Sequence, residues 1–175
     1  DPVSRIHMRV PDPVSTSPFV GLPWQQLTVL LYLNYKHKNI NCTPIPAALL
    51  DAEGNILSIQ NRFMQWNDIS IKWRQNTKGG KGYFDIPKDY WSAVKVCVRR
   101  KTRFITMPVG FTCPSGGHAN MMIYDKETKE LERFEPNASM AGQDGGCFDP
   151  PGFDEKIKDL FNKNVKNGMV KTAIP

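Results

Sequence analysis

The sequence contains no apolar run near the roughly 18 to 20 residues that a membrane-crossing helix requires, and no charged-then-apolar leader opens it, so a soluble protein without a membrane span is expected. Cysteine is scarce. Cys42, Cys97, Cys113 and Cys147 stand too far apart for short zinc-knuckle spacing and include no Cys-x-x-Cys pair, which makes free thiols in a reducing compartment the simplest expectation. Gly79, Gly80 and Gly82 in TKGGKGYF lack the Gly-Lys-Ser/Thr ending of a phosphate loop and read as a turn. No cofactor or metal is expected. The chain starts with aspartate rather than methionine and ends in Ala-Ile-Pro, so either end reads as a possible cut.

What is present suits one compact unit: 175 residues, 40% hydrophobic and 23% charged, are enough for a single domain to bury its own core. Lysine and arginine exceed aspartate and glutamate by 23 to 17, with a dense cluster at Lys95, Arg99, Arg100, Lys101 and Arg103. Such a cluster is either a solvated face or a contact for nucleic acid or an anionic protein surface. Residues 1–23 hold Pro2, Pro11, Pro13, Pro18 and Pro23 with little periodicity, so an extended arm is expected, ordered only if something holds it. Residues 24–175 then form one α+β domain.

Within that domain, Trp24, Leu27, Leu30 and Leu31 recur at helical spacing and predict a helix from Trp24 to about Lys38. Pro23 suits its first turn and Lys36, His37 and Lys38 its last, so His37 reads as a solvated helix-end cation. The pieces NILSI and DISIKW look strand-like among turn signals. DYWSAVKVCVRRK fits a strand or a short helix, and RFITMPVGF reads as a buried strand ending at Gly110. FDEKIKDLFNKN sets Phe153, Ile157, Leu160 and Phe161 on one helical face, with Asp154 and Glu155 in the first turn. Asn41-Cys-Thr and Asn137-Ala-Ser fit the glycosylation pattern, but without a sign of secretion both read as chance.

The stretch HANMMIYDKETKELERFEP carries the most chemistry. Alternation puts His118, Asn120, Met122 and Tyr124 on one strand face, and Leu131, Arg133 and Glu135 on one face of the next. A hairpin centred between Lys126 and Glu127 would set His118 against Glu135, Asn120 against Arg133 and Met122 against Leu131. Directly opposed side chains are about 4.5 to 5.5 Å apart at Cβ, close enough for an imidazole and a carboxylate to share a hydrogen bond. One reading is a surface cross-strand ion pair. The other is the orienting half of a nucleophilic triad, with His118 as base and Glu135 holding its tautomer.

A strand opening at a histidine, a turn, and a strand ending in Phe-Glu-Pro resembles the adenovirus maturation protease and, more widely, the SUMO-protease-like cysteine peptidases. The phrasing HANMMIYD…ERFEP is similar also to uncharacterised proteins of large nucleocytoplasmic DNA viruses. The likeness covers Arg103 to Pro136. It implies a papain-like cysteine-peptidase-type half with a central mixed or antiparallel sheet flanked by helices, His118 as general base, and Glu135 as its orienting acid. It also implies a glutamine and a cysteine several tens of residues later, a place that falls beyond Pro175. Either the chain is truncated or it never had a nucleophile. Cys147, with Gln143 four residues before it, mimics the pattern, but it follows Glu135 too soon and sits in a Gly- and Pro-rich loop rather than at a helix start.

Two functions follow from the resemblance. The first is a viral thiol protease acting on peptide or isopeptide bonds. The second is a non-catalytic structural protein of a virion or capsid that keeps the fold and docks neighbours through its arm and basic surface. Either would reside in the virion or the host cytoplasm with protein partners. Nucleic-acid binding through the basic cluster with Trp66, Trp73 and Trp91 is a third reading.

Overall fold

The computed structural model describes residues 5–9, 23–53, 66–76, 81–114, 116–134 and 152–166. In chain order the elements are β1 (Arg5–Arg9), α1 (Pro23–Lys36), β2 (Asn41–Cys42), a 3-10 turn (Ala47–Leu49), α2 (Trp66–Ile69), β3 (Ile71–Gln75), β4 (Gly82–Asp85), α3 (Tyr90–Arg99), β5 (Phe104–Cys113), β6 (Gly116–Asp125), β7 (Glu130–Phe134) and α4 (Phe153–Lys166). The sheet runs β1-β7-β6-β5-β3-β4, with β2 also pairing β5. Neighbours are antiparallel at β7-β6, β6-β5 and β3-β4, and parallel at β1-β7, β5-β3 and β2-β5. The architecture is α+β with a mixed sheet.

Helix periodicity accounts for the layers. In α4, Phe153, Ile157, Phe161 and Val165 are all buried at four-residue spacing. In α3, Tyr90, Val94 and Cys97 are buried, the spacing of a helix stripe, so DYWSAVKVCV folds as a helix although its valines alternate as in a strand. These two stripes cover the inner face of the sheet and share one core with Trp73, Ile105, Met107, Val109, Phe111, Met122, Tyr124 and Leu131. On the outer face, Leu27 of α1 packs in a second, smaller cluster with Leu49 and Ile69. Because β5 is covered on both sides, every residue from Ile105 to Phe111 is buried and its alternation disappears. That strand runs on to Cys113, past the end expected at Gly110.

Part of the N-terminal arm is held by the sheet: Arg5–Arg9 pairs with Glu130–Phe134 in parallel, Arg5 opposite Glu130 and His7 opposite Glu132. The strand-like NILSI and the glycines 79 and 80 lie outside the described residues. Gly82 is in β4, where a side chain could not fit, since a Cβ there would overlap the indole of Trp73. Lys156 of α4 closes this corner, its Nζ donating to the Gly82 carbonyl at 3.2 Å and lying 5.1 Å from the Trp73 ring centre.

The thiols of the described residues are not free. Cys42 and Cys97 form a disulfide across 55 positions of sequence, and Cys113 is also disulfide-bonded, so no described cysteine is a free thiol. The expectation failed because cysteines far apart in sequence carry no local signal of meeting. Here α3 lays Cys97 beside the β2 strand that carries Cys42, with 5.5 Å between their Cα atoms.

Candidate functional site

Two successive hairpins build the region. The β5–β6 hairpin turns tightly at Cys113↔Gly116 and places His118 opposite Phe111 on the central strands. The β6–β7 hairpin closes through residues 126–129, where Lys129 takes a positive φ of 60° and its amide donates to the Asp125 carbonyl at 2.9 Å. The longer turn moves the register. Met122 pairs with Arg133 and Tyr124 with Leu131, where the sequence reading set Met122 against Leu131 and Asn120 against Arg133. The shift is two residues along β7, so direct opposition of His118 and Glu135 does not belong to this register. An even shift keeps each residue on its own face: Asn120, Met122 and Tyr124 share the buried inner face with Leu131 and Arg133. The backbone of His118 is described and its side chain is not, while Glu135 lies outside the described residues.

The inner face holds polar groups that the sequence reading did not single out. Arg133 is fully buried, and its Nε and Nη2 donate to Asp154 in the first turn of α4 at 2.8 and 3.3 Å. Its guanidinium carbon lies 5.3 Å from the Phe153 ring centre. The available signal was parity, since Arg133 alternates in phase with Leu131. Asn120, 2% exposed, leaves both side-chain amide atoms without a hydrogen-bond partner, and the Trp73 Nε1 is likewise buried without one. The Phe153 ring packs on the same face, 5.5 Å from the Trp73 ring centre and 4.9 Å from that of Phe111.

The far end of β6 carries a separate ionic cluster. Arg103 donates through Nε and Nη2 to the Asp125 carboxylate, with 2.7 Å for the shortest bond, and also reaches Glu127 at 3.2 Å. Burial by itself would raise the Asp125 carboxyl, but the Arg103 guanidinium and the Glu127 and Thr128 backbone amides together bring it below its ordinary value. Lys126 turns back to end α3, donating to the Arg100 carbonyl at 2.6 Å and the Cys97 carbonyl at 3.3 Å. Desolvation, with Lys129 nearby, lowers its pKa. A cavity of about 420 Å³ opens beside this cluster on the outer face, lined by Leu33, His37, Ile40, Phe104, Ile123 and Glu130 among others. His37 is exposed in the turn after α1, in line with its reading as a helix-end side chain.

Of the candidate site residues, the structure therefore places His118 by its backbone alone, and Cys147 and Gln143, like Glu135, are outside the described residues. Cys113, the thiol nearest His118 in sequence, is bonded. Among the described residues no group of three His, Cys, Asp or Glu side chains could hold a metal ion. No described helix is long and apolar enough to cross a membrane. No protein-family model, curated protein or solved structure matches the chain.

Proposed function

We propose that the chain is a viral cysteine-peptidase-like domain, of the papain-like half-fold, carrying the histidine and acid of the site. In this reading His118 is the general base and Glu135 its orienting acid. The observation that supports it is the β6–β7 hairpin: antiparallel neighbours whose inner-face residues keep their parity, with the start of β6 and the end of β7 at one end of the sheet. Were that ladder to run one pair further, Glu135 would oppose Asn120 and be a diagonal neighbour of His118. Diagonal positions are about 7–8 Å apart, a span that a glutamate and an imidazole can close between them.

A second reading, a non-catalytic virion or capsid protein that keeps the fold as scaffold, is favoured by the cysteines. A peptidase needs a thiolate, and Cys42, Cys97 and Cys113 are all in disulfides. Disulfides also suit a particle better than the host cytoplasm.

Labelling with a peptide vinyl sulfone, mapped by mass spectrometry on unreduced wild type and His118→Ala, tests the choice. The peptidase reading expects one labelled cysteine, other than the bonded Cys42, Cys97 and Cys113, whose rate falls about a hundredfold in the variant, the range of a lost general base. Equal rates in both proteins, or no label without prior reduction, would leave the scaffold reading.

A further inference from the structure

We propose that the cavity on the outer face of the sheet, between the end of α1 and strand β7, binds a small organic amine. Its ammonium sits among Asp125, Glu130 and Glu132, and its apolar body lies on Phe104 and Ile123. The cavity is separate from the proposed catalytic site, since His118 and Asp125 are seven residues apart on β6, roughly 23 Å. Neither functional reading is needed for it.

Strand register builds the floor. Phe104 of β5 pairs with Asp125 of β6, and Asp125 with Glu130 of β7; two residues along, Thr106 pairs with Ile123, and Ile123 with Glu132. The residues of opposite parity, Ile105, Tyr124 and Leu131, belong to the inner core, so these six form one grid on the outer face. All six line the cavity, whose volume of about 420 Å³ lies within the range of small-ligand sites. Leu33 of α1, with His37 and Ile40 of the turn that follows, supplies the wall.

The grid crowds like charges. Directly opposed side chains are about 4.5 to 5.5 Å apart at Cβ, and positions two apart on one strand about 7 Å, so Asp125, Glu130 and Glu132 repel one another. Arg103 offsets part of this, bonded to Asp125 and reaching Glu127. Glu130 and Glu132 also have interactions of their own, and register sets Arg5 opposite Glu130 and His7 opposite Glu132. With both arginines counted, the corner still holds four carboxylates, Asp125, Glu127, Glu130 and Glu132, against two permanently charged cations. Lys36, Lys38 and Lys129 do not line the cavity, and Lys126 is committed to the α3 carbonyls. A carboxylate accepts about four hydrogen bonds, so one already bonded still takes an ammonium.

The rest of the lining selects the kind of cation. Among the described residues no group of three His, Cys, Asp or Glu side chains could hold a metal ion, which leaves an organic cation. Leu33, Ile40, Phe104 and Ile123 offer apolar surface for its body. Phe104 already takes one cation on its ring, the Arg103 guanidinium carbon lying 4.9 Å from the ring centre. The excess of carboxylates turns away phosphates, and with them nucleic acid and anionic lipid.

The test is titration of the isotope-labelled protein with phenethylamine at pH 8, followed by amide NMR shifts. Phenethyl alcohol and phenylpropionate are the neutral and anionic controls. The variants are Glu132→Gln and Thr128→Lys, the second adding a cation at an exposed turn position on the rim. The amine is expected to bind with a Kd of about a millimolar, as suits about nine non-hydrogen atoms. It should shift the amides of Ile40, Ile123 and Glu132, weaken as salt is raised, and lose about fivefold or more in affinity with each variant. The alcohol should bind about tenfold more weakly and respond to neither variant. Equal or tighter binding of either control, shifts confined to other residues, unchanged amine affinity in either folded variant, or no shift at tens of millimolar amine overturns the proposal. A capped Phe-Lys peptide that binds more tightly at the same amides overturns it in favour of a basic segment of a partner protein. If Glu132→Gln does not fold, Thr128→Lys and the two controls still decide.

Discussion

Tyr90→Phe should stabilise the protein, and more so as pH rises. The Tyr90 hydroxyl is fully buried at the start of α3 and has no hydrogen-bond partner. Burying such a group unpaired costs about 1–3 kcal/mol by mutational measures. Removing the oxygen leaves a void on the order of 10 Å³, a loss of only a few tenths of a kcal/mol. The net expectation near pH 8 is about 1 kcal/mol of added stability, or about 2–4 °C in Tm for a chain of this size. Burial also pushes the Tyr90 pKa far above its ordinary value of 10.0. A raised pKa means the folded state keeps its proton where the unfolded state has lost it. Stability from this group is therefore complete below pH 10 and declines above it, by about 1.4 kcal/mol per pH unit. Phenylalanine has no such loss. Urea unfolding of both proteins at pH 8 and pH 11 should show the advantage of the variant growing from about 1 to more than 2 kcal/mol. A variant less stable than wild type at pH 8, or an advantage that stays flat with pH, would refute an unpaired, desolvated hydroxyl.

Other expectations follow from the same geometry. Tyr124, pushed up to about 12 by burial and then by the Asp125 charge, should leave Tyr90→Phe with a residual alkaline decline between pH 10 and pH 12 that Tyr124→Phe removes, read in the same titration. Removing the Cys42–Cys97 bridge by paired substitution to alanine should cost about 4 kcal/mol, the chain-entropy value for its 55-residue separation, measured as the change in urea midpoint. Gly82→Ala should cost about 1–3 kcal/mol by forcing the Trp73 indole aside, and tryptophan fluorescence should shift with it. Asp154→Ala leaves the buried Arg133 short of an acceptor. Because Asp154 itself is 39% exposed and water screens the pair, about 2 kcal/mol is expected rather than the full cost of a broken interior ion pair, while Arg133→Met is milder.

The elements that local periodicity dictates were legible in advance. Helices α1 and α4 begin and end within two or three residues of their expected places, because their apolar residues recur every turn whatever else surrounds them. The alternation of β6 assigned Asn120, Met122 and Tyr124 to one face, and all three are buried. The segment that became α3 was ambiguous, because Val94, Val96 and Val98 fit a strand while Tyr90, Val94 and Cys97 fit a helix. Only the sheet face beneath it selects between them. At the candidate site, the sequence named the strand that carries His118 and the buried face of Asn120, Met122 and Tyr124, but misjudged the hairpin by two residues. Asp-Lys-Glu-Thr-Lys-Glu contains no Asn-Gly or Asp-Gly to set a short turn, and the turn formed with Lys129 at positive φ.

By itself, then, the sequence determined that α1 and α4 are helices and β5 and β6 strands, and which side of α4 and β6 faces inward, since those depend on neighbours within a turn or two. The tertiary structure alone decided the β6–β7 register, the ion pair of Arg133 with Asp154, the bridge between Cys42 and Cys97, and the gathering of Asp125, Glu130 and Glu132 beside one cavity. Each of these joins residues whose separation in the chain carries no energy until the sheet closes and packs. No local pattern could have announced them.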